Sequence, residues 1–182
     1  MSELIAWIDI EMSGTSPETD KLLEIASCIT DMSGEKISDY FHRLSKIDNL
    51  SEIIESAEDE IKKMHEKSGL WEDLWSSHTY DIEDIDYSLS RWIREYSTNI
   101  DFLYLGGNTV TLDRMFMKLH LPRTYNLLSY RSIDVTSISL TVQKNSFIPG
   151  FEKSKKHRAT SDVENSIKEY VYYLKNLNLN RS

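Results

Sequence analysis

Two carboxylates close the first apolar run of the chain: Asp9 and Glu11, in Leu4-Ile5-Ala6-Trp7-Ile8-Asp9-Ile10-Glu11-Met12. In an extended strand, residues i and i+2 point to the same face. This run therefore sets two acids side by side, just ahead of the turn-forming stretch Ser13-Gly14-Thr15-Ser16-Pro17. Like charges that close repel unless a cation lies between them. On a solvated edge strand the repulsion is slight, but Ile5, Trp7, Ile8 and Ile10 mark this strand as central and buried. Unpaired acids are expensive in such a setting, so the pair reads as half of a divalent-metal site. Two further acids are candidates to complete it: Asp113, in Gly107-Asn108-Thr109-Val110-Thr111-Leu112-Asp113-Arg114, and Asp162, in His157-Arg158-Ala159-Thr160-Ser161-Asp162. An all-oxygen ligand set suits Mg2+ or Mn2+ rather than zinc. Two such ions about 3.5–4 Å apart stabilise both the attacking and the leaving oxygen of an in-line displacement. His157, at or just before a helix start, has a side chain whose ordinary pKa suits it to take a proton from an attacking water. Singly, Asp113 reads as half of a surface pair with Arg114, Asp162 as a first-turn acid favoured by the helix dipole, and His157 as a loop histidine. Together they describe a two-metal phosphodiesterase.

These side chains depend on elements far apart in the chain. Residues 4–11 and Leu22–Thr30 read as strands separated by the Ser13–Asp20 turn, and Glu35–Leu44 as a third. Short connections make the three an antiparallel meander. Leu50–Met64, dense in charge, reads as a helix, and so does Asp81–Tyr96, where Ile82, Ile85, Leu89, Trp92 and Ile93 recur at helical spacing. A strand at Phe102–Leu105 leads through Gly106-Gly107-Asn108 into a helix from about Val110 to Leu119. Ile133-Asp134-Val135 reads as a short fifth strand, followed by a helix over Thr136–Val142. A polar loop from Gln143 to Lys156 carries Lys144, Lys153, Lys155 and Lys156, and lies where it could gate the site next to His157. The last helix, Ala159 to Lys175, carries Val163, Ile167, Tyr170, Val171 and Leu174 on one stripe. The fold class is α/β: a mixed five-stranded sheet flanked by helices, in a single domain over residues 1–182 without internal repeat or linker.

Composition is consistent with that layout. A chain of 182 residues, 40% hydrophobic and 28% charged, is long enough to bury one real core. Cys28 is the only cysteine, which excludes an intramolecular disulfide, and its apolar run makes it a buried, inert thiol. Neither an arginine-rich leader, a signal-type apolar run nor a membrane-spanning stretch is present in the sequence, so the expected compartment is cytoplasmic. The net charge of −9, from 21 basic and 30 acidic residues, lacks the basic field of a protein that grips long polymers by their phosphates. It favours short oligonucleotides held by metals and a few polar groups.

Asp9, Glu11, Asp113, Asp162 and His157 match, in order and spacing, the motif set of the DEDDh exonucleases. Within that superfamily the chain resembles the oligoribonucleases over nearly its whole length. The resemblance rests on Trp7-Ile8-Asp9-Ile10-Glu11-Met12-Ser13-Gly14, on Glu24-Ile25-Ala26, and on His65 with Ser68-Gly69-Leu70. It continues with Gly107-Asn108 before Asp113-Arg114, Tyr130-Arg131 before Asp134-Val135, and His157 before Ala159 and Asp162. It implies an RNase H-like fold and a 3′-to-5′ exoribonuclease that degrades short single-stranded RNA oligonucleotides to nucleoside 5′-monophosphates. The four acids would hold two divalent ions, and His157 would be the base. It further implies that Thr109, Arg131 and Thr136 surround the terminal 5′-phosphate, with Asn108 and His65 near the substrate. An arginine fork with hydroxyls is a sensible phosphate cap. Part of that cap comes from a partner subunit in the family, which implies a homodimer.

Without the resemblance, Arg131 reads as a surface ion-pair residue and His65 as a helix-surface histidine. Three positions depart from the family pattern: Thr15 replaces a leucine wedge, Glu60 a stacking tryptophan, and Ser161 the first acid of His-x-Ala-x-Asp-Asp. Stacking on an aromatic contributes about 1–3 kcal/mol per base, and a glutamate supplies none of it. The chemistry is expected intact and the base grip altered. Two other readings stay open: a proofreading-type DEDDh DNA exonuclease, and a catalytically quiet oligonucleotide-binding protein, against which all five catalytic positions speak.

Overall fold

The computed structural model describes residues 2–145, 147–153 and 157–177. In chain order the elements are β1 (Glu3–Met12), β2 (Leu22–Asp31), β3 (Phe41–Leu44), α1 (Leu50–Ser56), α2 (Asp59–Ser68), α3 (Leu70–Ser76) and α4 (Ile82–Tyr96). They continue with β4 (Phe102–Gly107), α5 (Thr111–His120), α6 (Pro122–Tyr125), β5 (Ser132–Asp134), α7 (Val135–Asn145) and α8 (Ala159–Asn176). The sheet order is β3-β2-β1-β4-β5. β1 pairs antiparallel with β2, and β2 with β3; β1 pairs in parallel with β4, and β4 with β5. This is the mixed five-stranded sheet expected from the sequence.

β1 is central because both of its faces are apolar. Leu4, Ala6, Ile8, Ile10 and Met12 join a cluster with Ile85, Leu89 and Ile93 of α4 and Phe116 and Met117 of α5. Ile5 and Trp7 face the other way, against Val135 and Val142 of α7 and Val163, Ile167, Tyr170 and Tyr173 of α8. Each fully buried side chain of this size contributes about 1.5–3 kcal/mol. Asp9 and Glu11 continue the row of Ile5 and Trp7, so the strand delivers them at its end, on the face that α8 covers.

Several boundaries differ from the sequence reading. β3 starts at Phe41 rather than Glu35 because Asp31 turns the chain: its carboxylate accepts the N–H of Ser33 at 2.8 Å and of Glu35 at 2.9 Å. Gly34, at φ +87, completes that turn. The segment read as one helix over Leu50–Met64 is two, α1 and α2, since Ala57 and Glu58 are extended. α2 ends at Gly69, whose φ of +75 lies in the left-handed region glycine favours. α3 then adds Leu70, Trp71 and Leu74 to a third cluster with Leu23, Leu44 and Leu50. α6 was also unforeseen; its N–H groups at Arg123 and Thr124 donate to the buried Asp86 carboxylate of α4 at 3.0 and 2.9 Å. Of the loop expected at Gln143–Lys156, the first three residues finish α7, while Ser146 and Ser154–Lys156, including Lys155 and Lys156, lie outside the described residues. No helix among the described residues is long and apolar enough to cross a membrane.

Candidate active site

Strand alternation brings Asp9 and Glu11 together, and the first turn of α8 adds Asp162: ligand oxygens of the three lie within 4.8 Å of one another. Asp113 sits in the first turn of α5, where its Oδ1 accepts the Ile10 N–H at 3.1 Å. That bond pins α5 to β1 between the two strand acids and leaves Asp113 beside the tight group of three.

The electrostatics follow from crowding acids in a dry place. Burial, then the charges of Asp113, Glu11, Asp162 and Glu24, hold Asp9 well above the usual carboxylate range. Burial, with Asp162, Glu24 and Asp113, pushes Glu11 up to about 8. Asp113 rises to about 7 through burial, despite its backbone hydrogen bonds, and Asp134 adds to the rise. Burial also raises Asp162, against the opposing pull of Asn165 and His157. Four such groups do not all ionise unaided, and a divalent cation reverses that balance. The all-oxygen donor set fits hard ions such as Mg2+ or Mn2+.

Glu24 lies directly opposite Glu11 in the β1–β2 register but is in the contrary state. Burial alone would raise it; His42, Arg158 and the Ala159 N–H instead hold it down to about 2. Its carboxylate is fully engaged, so it is not a free ligand. His157 follows at the exposed rim, in the left-handed region at φ +49, near enough for its charge to act on Asp162.

His65 is not a surface histidine. It is fully buried on α2, and its Nε2–H donates to the Met12 carbonyl at 2.9 Å. The other ring nitrogen, Nδ1, faces Glu11 Oε2 at 3.9 Å without a hydrogen-bond partner, and the ring stands edge-on to Trp71 at 5.0 Å. Burial lowers its pKa and keeps it neutral.

The structure brings three of the expected substrate-binding residues together. Thr109 and Thr136 place their hydroxyl oxygens 3.1 Å apart, and Asn108 Nδ2 reaches Thr136 Oγ1 at 3.3 Å. Asp134 holds the pair by accepting the N–H of Thr109 at 3.2 Å and of Thr136 at 2.9 Å. Asn108 is fixed in turn by Glu169 at 2.9 Å and Ser166 at 2.6 Å. Arg131 is elsewhere. It precedes β5, at the opposite end of that strand from Asp134, with its guanidinium 5.0 Å from the Tyr130 ring centroid and against the Tyr104 hydroxyl. Thr15 and Glu60 are exposed.

Glu24 and Arg158 stand inside motif strings quoted from the sequence but have no role assigned there, and Glu169 is not among the sequence candidates. Glu24 carried a usable signal, a lone acid in the apolar run Leu22-Leu23-Glu24-Ile25-Ala26, which is the same anomaly that exposed Asp9 and Glu11.

Comparison with known proteins is consistent with this geometry. The RNase T family profile, described as an exonuclease, matches residues 6–170. An oligoribonuclease of Rhodococcus jostii is 32% identical over 178 residues, covering 96% of this chain and 88% of that protein. The mitochondrial oligoribonuclease of Mus musculus is 30% identical over 182 residues, covering 97% of this chain and 74% of the relative. Among solved structures, E. coli exonuclease I in complex with single-stranded DNA superposes with a TM-score of 0.71 at 15% identity, covering 97% of this chain. The chain spans only 41% of that exonuclease I chain, and the likeness shows the shared RNase H-like exonuclease fold.

Proposed function

The chain belongs to the RNase T exonuclease family, and on that premise we propose that it is a 3′-to-5′ exoribonuclease releasing nucleoside 5′-monophosphates from short single-stranded RNA. The observation that carries the reading is the cluster of Asp9, Glu11 and Asp162 within 4.8 Å, with Asp113 beside it. These four acids would hold two divalent ions, Mg2+ or Mn2+. When bound, such ions activate water and neutralise charge on a phosphodiester. His157, at the rim next to Asp162, takes the proton of the attacking water on its imidazole. His65 stays neutral behind Glu11 and fixes the end of β1 through the Met12 carbonyl.

Asn108 and the Thr109–Thr136 hydroxyl pair form a small polar shelf suited to a terminal phosphate. Arg131 lies apart from that shelf within one chain, which supports a homodimer in which a partner subunit completes the cap. Relatives named oligoribonuclease, and a net charge of −9, support short RNA as the substrate. The single buried cysteine suits a reducing compartment, and the cytoplasm is the one proposed.

Mn2+ titration followed by thermal unfolding tests the site. Ligands that bind only the folded state stabilise it by mass action, so wild type gains stability with Mn2+ and Asp9→Ala does not. A wild-type melting curve indifferent to Mn2+ and Mg2+ contradicts the reading.

A further inference from the structure

His157 stands between two ion pairs that the proposed reaction does not use. Four residues before it, Lys153 reaches Glu169 of α8 at 2.6 Å. One residue after it, Arg158 meets Glu24 of β2 edge to edge, Nε to Oε2 at 3.1 Å and Nη2 to Oε1 at 2.9 Å. The remaining guanidinium nitrogen, Nη1, reaches Asp73 of α3 at 2.7 Å. Glu24 also accepts the Ala159 N–H at 3.1 Å and faces His42 Nε2 at 2.7 Å, all while 1% exposed. A buried ion pair is a weak source of stability, since desolvating two charges offsets their attraction. A forked arginine–carboxylate contact does, however, fix orientation as few side-chain contacts do.

What it orients is the segment that carries the base. His157 adopts φ +49, a conformation that persists in a non-glycine residue only where its surroundings hold it. The residues on its C-terminal side are tied down twice by one carboxylate, through the Arg158 side chain and the Ala159 N–H. That carboxylate hangs from the same register position of the sheet as Glu11. The spacing between His157 and the acids is thereby referred to the β1–β2 ladder rather than to the loop.

We propose that Glu24 and Arg158 are positioning residues for the general base, with Asp73 holding the free face of the guanidinium. This rests on the reading of His157 given above. Glu24 also stays off the metals, because its oxygens are already spoken for by Arg158, His42 and Ala159.

The test makes Arg158→Gln and Glu24→Gln in the full chain, each in wild-type and His157→Ala backgrounds. Rates are followed on a 5′-labelled short RNA with Mn2+. In the wild-type background each change lowers kcat about 10–100-fold, the scale of a misplaced catalytic group. KM and the Mn2+-induced rise in Tm are retained. In the His157→Ala background neither change lowers kcat further, because residues that act as one unit are not additive. Arg158→Lys recovers little, since an ammonium has no fork. Where Arg158→Gln does not fold, the milder Glu24→Gln decides. An unchanged kcat, an equal fall in both backgrounds, or loss of the Mn2+ response overturns the proposal. Inactive wild type, or His157→Ala as active as wild type, overturns the base assignment itself and is read from those two proteins alone.

Discussion

Asp9 is half-buried among other carboxylates, and its amide variant separates what the cluster does for chemistry from what it does to stability. Asp9→Asn keeps the shape and removes one of the mutually repelling charges. The metal-free variant should melt several degrees higher than wild type at pH 8, where about 1 kcal/mol moves the midpoint of a chain this size by about 2–4 °C. Turnover should fall by at least about 100-fold, as for loss of a group acting on the transition state. The same acids set a pH dependence. Folded Glu11 keeps its proton up to about 8, whereas the unfolded chain loses it near the ordinary 4.5. Across that window the folded state binds more protons, so the metal-free protein loses stability as pH rises. Glu24 has the opposite sign: held at about 2, it contributes above 4.5, and that contribution fades as pH falls towards 2. Metal-free melting curves from pH 3 to 9 should therefore peak on the acid side of neutrality, and Mn2+ should stabilise more at pH 8 than at pH 5. At this scale the acids were legible because they interrupt an apolar strand. The Arg158–Glu24 pair was not, because nothing local in the sequence ties residues so far apart.

Elements place these residues by turns as much as by periodicity. Gly69 ends α2 at φ +75 with nothing within 4 Å of an added Cβ, so Gly69→Ala tests backbone conformation alone and should cost about 1–2 kcal/mol. Its effect should reach activity too, since α3 follows directly and carries Asp73 against Arg158. Gly106 differs: an added Cβ would run into Ile5 and Trp7 of β1, so Gly106→Ala should cost about 1–3 kcal/mol by overpacking. Chemical denaturation of both variants checks the two mechanisms against each other. The long elements, β1, β2, α4 and α8, were legible because each repeats its apolar residues over many positions. α3 and α6 were not, because seven and four residues give too few turns to show a period. The start of β3 was misplaced because side-chain hydrogen bonds from Asp31, rather than any propensity, decide where the strand begins.

For the whole molecule, the order of strands and helices prefigured the sheet, since an antiparallel meander followed by parallel additions leaves β1 in the middle. What one chain contributes to the proposed phosphate shelf was less legible, because Arg131 and Thr136 are near in sequence yet sit at opposite ends of β5. A homodimer that shares this shelf makes a complementation prediction. Arg131→Ala and Asp9→Ala proteins, each inactive, should regain activity when unfolded and refolded together. Random pairing leaves one complete site in half of the dimers, about a quarter of the wild-type rate. No recovery from a mixture shown to dimerise places Arg131 in its own chain's chemistry or outside it.

Metal-dependent exoribonuclease activity on short RNA is measured by a Mn2+ time course on end-labelled RNAs from two to about ten nucleotides, with matched DNAs alongside, a range that passes beyond a site gripping a few bases. Nucleoside 5′-monophosphates should be released from the 3′ end, fastest from the shortest RNAs, and this release should be lost in Asp9→Ala. No release from any RNA with Mn2+ or Mg2+ present would contradict the proposed activity.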